Sequence, residues 1–166
     1  MTKIKIKKRK PIKIAYIEHT GEYSTVPYDE DISKLYSFAK KNKLRPGFKP
    51  FAIYPDDPNK GVWEHIRTRV AITINKLSEP SGNISIGELP QMEYATMKFA
   101  GSSEEYQDAY NELWKWIEEH GYEVNGPPLE IWGKKPKIKE GKSIISSEIQ
   151  APIIKIWLEQ NEQLLF

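Results

Sequence analysis

One carboxylate stands where carboxylates are costly. Glu130 lies in the tract Pro128-Leu129-Glu130-Ile131-Trp132, which is otherwise apolar. Burying its charge without a partner is unfavourable. A soft organic cation supplies the countercharge, and tyrosine and tryptophan faces add cation–π attraction. Trp132 follows two positions later, at the end of a short strand. Upstream, Tyr106, Tyr110, Trp114 and Trp116 recur at helical spacing. Such aromatics more often pack a core, so only some can line a pocket. Tyr110 and Trp116 are the candidates for its wall, with Tyr54, Trp63 and Tyr94 as further candidates. The competing reading is an outward-facing Glu130 satisfied by water, Lys134 or Lys135.

Other chemistry lacks its residues. The 166-residue chain has no cysteine, which excludes disulfides, thiol nucleophiles and thiolate metal sites. A reducing cytoplasm is the simple expectation. His19, His65 and His120 are scattered, with no His-x-x-x-His pair, so no metal is expected. There is no Gly-rich phosphate loop and no Gly-x-Ser-x-Gly elbow, and no cofactor is expected. Hydrophobic content of 39% and charged content of 29% fit a globular chain. No apolar run approaches a membrane span. The net charge of +2 is uneven: the first thirteen residues hold seven basic side chains and no acid, leaving −5 for the rest. The alternation of Lys3-Ile4-Lys5-Ile6-Lys7 reads as an edge strand guarded by lysines in preference to a nucleic-acid arm.

The positioning elements follow from periodicity. Strands are expected at Ile12–His19, Phe51–Tyr54, Arg69–Ile74, Ile84–Ile86, Met92–Phe99, Leu129–Trp132 and Ile144–Ile149. One helix starts near Pro27 and ends in Lys40, Lys41 and Lys43. The other starts at a capping box, Ser102-Ser103-Glu104-Glu105, and ends before Gly121. Lys134–Lys142 reads as a polar loop.

These elements occur twice. Each half runs strand, glycine turn, helix, Gly/Pro elbow, short strand, loop, strand. Gly21 and Gly101 are 80 apart, and Tyr54 and Trp132 are 78 apart. In register, Leu35 matches Leu113, Phe38 matches Trp116, and Phe51 matches Leu129. The copies part at one informative place, where Ala52 matches Glu130. The expected fold is therefore α+β. Two strand-helix-strand-strand units share an antiparallel sheet, with both long helices on one face and a groove at the pseudo-twofold axis. The chain forms one domain, 1–166. Residues 12–74 and 84–153 are its repeats, and 154–166 is an apolar-rich extension that packs on the body or on a second copy.

The element order, the duplication, the tract 128–132 and the closing Ser147-Glu148-Ile149-Gln150-Ala151-Pro152-Ile153 resemble the GyrI-like small-molecule-binding domain. That domain is the effector-binding half of multidrug-responsive transcription activators of the BmrR and Rob type. The resemblance spans roughly residues 12–153. It implies a hydrophobic groove whose acid meets lipophilic cations, and the acid falls on Glu130. It departs upstream, where no helix-turn-helix is seen, so direct DNA binding is not expected. The leading expectation is a stand-alone binder of lipophilic, cationic or aromatic small molecules. One alternative is a hydrolase of reactive electrophiles, with Glu130 as general base and Tyr110 orienting the substrate. Another is a gyrase-inhibitor-like interaction module. A homodimer or a regulatory protein is the expected macromolecular partner, and no membrane is expected.

Overall fold

The computed structural model describes residues 3–56, 65–133, 137–139 and 141–156. Trp63 lies outside them. The first half contains β1 (Lys5–Arg9), β2 (Ile12–Thr20), α1 (Tyr28–Lys41), β3 (Phe51–Ile53) and β4 (Arg67–Ile74). The second contains β5 (Ile84–Leu89), β6 (Met92–Gly101), α2 (Tyr106–Glu119), β7 (Tyr122–Val124), β8 (Leu129–Trp132), β9 (Lys137–Lys139) and β10 (Lys142–Lys155). The strands form one antiparallel sheet in the order β1-β6-β10-β8-β3-β4-β2-β5, with β7 and β9 paired to β10.

That order reads as a palindrome of the two repeats: β3 answers β8, β4 answers β10, β2 answers β6, and β5 answers β1. At the centre, Ala52 pairs directly with Glu130. These are the two positions that the repeat equates. The pseudo-twofold axis therefore passes through this pair. The leading strands are exchanged: β1 precedes β2 in the chain yet pairs with β6, and β5 precedes β6 yet pairs with β2.

Both helices lie on one face. Following the register across the sheet, Ile84, Ile17, Val70, Ala52, Glu130, Ile149 and Met97 form one row. Cross-strand partners point to the same side. On that side Leu35, Phe38 and Ala39 of α1 pack with Ile17, Val70 and Ile72. Ala109, Leu113 and Ile117 of α2 pack with Met97 and Ile149. Glu130 is the one ionisable member of the row, midway between the two clusters. Opposite the helices, a third cluster joins Ile14, Phe51, Ile53, Ala71 and Leu129. The two-residue links 10–11 and 90–91 connect strands from distant places in the order, so the sheet curls around this third cluster.

Local chemistry explains the helix limits. Asp29, Glu30 and Asp31 occupy the first turn of α1, and Lys40 and Lys41 the last, which matches the helix dipole. Asp31 is buried and bonded to His19 Nε2. Gly121, at φ +81°, stops α2 and sends its N–H back to the Glu118 carbonyl. The capping box is not formed as expected. A short 3₁₀ turn, Ser103–Glu105, precedes α2, and the Ser102 hydroxyl donates to the Glu105 carboxylate at 3.2 Å, away from the helix backbone. The span expected as a polar loop contains β9.

β10 outruns its expected end and passes through Pro152. Pro152 is the last residue paired with β6, and Ile153–Lys155 pair with β7. On its other edge β10 pairs with β8 through Gln150 and with β7 from Ile153, and Pro152, which has no N–H for the ladder, falls at the junction between them. Ile153 is buried, whereas Ile154 is exposed on the outer side. Among the described residues no helix is long and apolar enough to cross a membrane.

Candidate functional site

Glu130 sits on β8 between the helices, with 7% of its surface exposed. Tyr110, from α2, donates its hydroxyl to Oε1 at 2.5 Å. Tyr54, just past β3, donates to Oε2 at 3.1 Å. The two donors come from opposite repeats, as a site on the axis requires. Tyr28, at the start of α1, meets Trp132 edge-on, with ring centroids 5.2 Å apart. Tyr23 meets Tyr54 edge-on at 5.3 Å. On the other side, Tyr110 lies 5.6 Å from Trp114 and 6.5 Å from Tyr106. Tyr106 is held in turn by Phe99, at 4.2 Å, and by a 3.0 Å hydrogen bond with Ser147. A belt of aromatic rings thus closes over one acid.

The electrostatics follow from burial. Loss of water raises the Glu130 pKa above the ordinary carboxylate value, and the two phenol hydrogen bonds oppose that rise. The phenols shift up as well. Burial, then the nearby carboxylate, holds Tyr110 and Tyr54 well above a normal tyrosine. Burial dominates at Tyr106 too, and it pushes Tyr28 up to about 12. All four stay protonated at neutral pH, and Tyr110 and Tyr54 donate to Glu130. Among the described residues no lysine, arginine or histidine forms an ion pair with Glu130. Its only hydrogen-bond donors there are neutral hydroxyls.

A model of the family described as the GyrI-like small molecule binding domain matches residues 2–154. The chain belongs to that family.

Its relatives span several roles. YosT of Bacillus subtilis (strain 168), a prophage-derived protein described as a candidate transcriptional regulator, is 24% identical over 127 residues, 76% of this chain and 85% of YosT. The C-terminal domain of EcmrR matches this GyrI-like domain with a TM-score of 0.71 and 18% identity, over 94% of this chain and 99% of that one. EcmrR in complex with DNA matches with a TM-score of 0.75 and 19% identity over 93% of this chain, which spans only 58% of the EcmrR chain. A hydrolase from Listeria innocua has a TM-score of 0.68 and 11% identity over 92% of both chains. SAV2435, bound to tetraphenylphosphonium, has a TM-score of 0.52 and 14% identity over 92% of this chain and 94% of its own. At these identities the structural matches speak for the fold alone.

Within the GyrI-like fold, Glu130, Trp132, Tyr54 and Tyr110 come together. Trp116 and Tyr94 do not join them. Trp116 lies six residues beyond Tyr110, about 240° around the helix, and stacks on His120 at 4.0 Å. Tyr94 alternates with Ala95 and Met97 of the α2 cluster and so points to the opposite face of the sheet, where Arg9 lies over its ring at 5.9 Å. Tyr23, Tyr28 and Tyr106 belong to the belt and were not among the candidates. Tyr28 and Tyr106 are 78 residues apart, the offset of the helix repeat, and that spacing was the available signal.

The belt is closed in this conformation. Cavities of about 410 Å³ and about 240 Å³ lie elsewhere, neither lined by Glu130. With Glu130 only 7% exposed, a ligand that meets the acid must displace part of this belt.

Proposed function

We propose that the chain captures lipophilic organic cations, with Glu130 as countercharge and the tyrosine belt and Trp132 as apolar walls. One observation carries this reading: a buried acid on the pseudo-twofold axis whose hydrogen-bond donors among the described residues are uncharged. Each phenol that bonds Glu130 is a placeholder a cation can displace, and its ring face remains to stack on the cation. The likeness to SAV2435, solved with tetraphenylphosphonium, supports the reading.

Calorimetric titration with tetraphenylphosphonium, and with triphenylphosphine oxide as a neutral probe of similar shape, tests it. The cation is expected to bind saturably at one site, about tenfold or more tighter than the neutral probe. The preference should also depend on pH. Burial raises the Glu130 pKa, so the neutral acid is the form that stabilises the empty fold, and that contribution fades as pH climbs through the raised value. A cation needs the ionised form. Its apparent affinity should therefore fall about tenfold per pH unit below the raised pKa and level off above it, with proton release on binding. The neutral probe should show no such slope. Equal affinity for both probes at every pH sinks the proposal.

A second reading keeps the same residue. A carboxyl with an elevated pKa is better matched to general-base work near neutrality than an ordinary one, and Tyr110 sits 2.5 Å from it. Consumption of an electrophilic substrate by wild-type protein, without loss of a bound cation's affinity, separates turnover from capture.

A further inference from the structure

The opposite face of the sheet holds a cavity of about 240 Å³. Its walls include Ile53, Leu89, Leu129 and Pro152, together with two arginines, Arg9 and Arg69. The arginines differ in their partners. Arg69 donates through Nε to Glu18 at 2.8 Å. Arg9 has no carboxylate partner among the described residues. Its Nη2 donates to the Met92 sulfur at 2.9 Å, a weak acceptor, and its Nε is buried without any hydrogen bond. The loss of solvent, uncompensated by an anion, lowers the Arg9 pKa. Lys5 and Lys7 alternate with Arg9 onto the same face of β1 and add positive charge along that edge.

An unsatisfied guanidinium donor beside an apolar floor has one simple chemical complement. We propose that this cavity is a second ligand site, one that takes a small amphipathic carboxylate. On binding, the Arg9 guanidinium swings off the Met92 sulfur and presents Nε and its neighbouring Nη to the carboxylate in the two-pronged geometry that guanidinium favours. The apolar body lies against Leu89, Leu129, Ile53 and Pro152. The volume equals about eight waters, which suits an acid of about the size of octanoate. The two faces of the sheet then select opposite charges: an acid meets cations under the helices, and an arginine meets anions behind them.

Sodium octanoate is the probe, and octan-1-ol its uncharged control, both titrated calorimetrically into the full chain. Octanoate is expected to bind saturably with one equivalent, and octan-1-ol about tenfold or more weakly. Arg9→Gln should weaken octanoate about tenfold or more while leaving tetraphenylphosphonium titration unchanged. Leu89→Trp, which fills the floor and keeps the charge, should weaken octanoate and octan-1-ol alike, and it carries the test if Arg9→Gln fails to fold. The proposal is overturned by the absence of saturable octanoate binding, by wild-type affinity in either folded variant, or by competition between octanoate and tetraphenylphosphonium.

Discussion

Glu130→Gln is expected to weaken tetraphenylphosphonium by about 1–3 kcal/mol, roughly 5- to 150-fold, while triphenylphosphine oxide loses much less. The substitution keeps the shape of the side chain and removes its charge. It also changes the hydrogen bonding. A carboxylate accepts from both Tyr54 and Tyr110, whereas an amide has one acceptor oxygen, so one phenol must turn its lone pair to the new NH2. That rearrangement affects either probe, which is why the neutral one is needed as a reference. Calorimetry of both probes against both proteins isolates the charge. Equal losses would assign the effect to the disturbed tyrosines and remove Glu130 as the electrostatic anchor.

The second large effect concerns the core. Leu35 and Leu113 are wholly buried, match each other in the repeat, and belong to clusters with no member in common. Leu35→Ala and Leu113→Ala should each cost about 2–5 kcal/mol, the transfer term plus the cavity left behind. Because the two sites share no packing partner, the double variant should lose the sum to within about 0.5 kcal/mol. That total approaches the whole stability of an ordinary domain, roughly 5–15 kcal/mol, so the double variant is expected to be largely unfolded. Urea denaturation of the four proteins measures it. A double variant much more stable than the sum would mean that the clusters act as one unit across the Ala52–Glu130 row.

Particular residues show what the amino-acid order made legible. The divergence of Ala52 from Glu130 pointed to the axis because a repeat exposes the position where its copies take different tasks, and the register pairs those two residues directly. The helices and long strands were readable from their apolar periods. Tyr94 was misplaced because β6 carries apolar residues on both faces, so alternation alone does not say which side meets α2. Trp116 was misplaced because its spacing fits a broad apolar stripe, while its ring is taken by His120 at the far end of the helix. β7 and β9 are three residues each, too short for a period. The exchange of β1 and β5 leaves no local trace at all. It depends on which edge each strand reaches, and that is decided by the curl of the whole sheet.

The exchange makes the molecule two interlocked clasps. Each half lends its leading strand to the other and receives one back, so the peptide connection between them is not what keeps them together. The joining loop is exposed from Asn75 to Leu77 and again from Glu79 to Asn83. A single proteolytic nick there leaves β1 on β6, β5 on β2 and β3 on β8 in place, and the fragments should migrate as one particle under native conditions. The same interlock governs the acid on the axis. Glu130 and Tyr110 come from one clasp, Tyr54 and Tyr28 from the other, and neither fragment alone can assemble the belt.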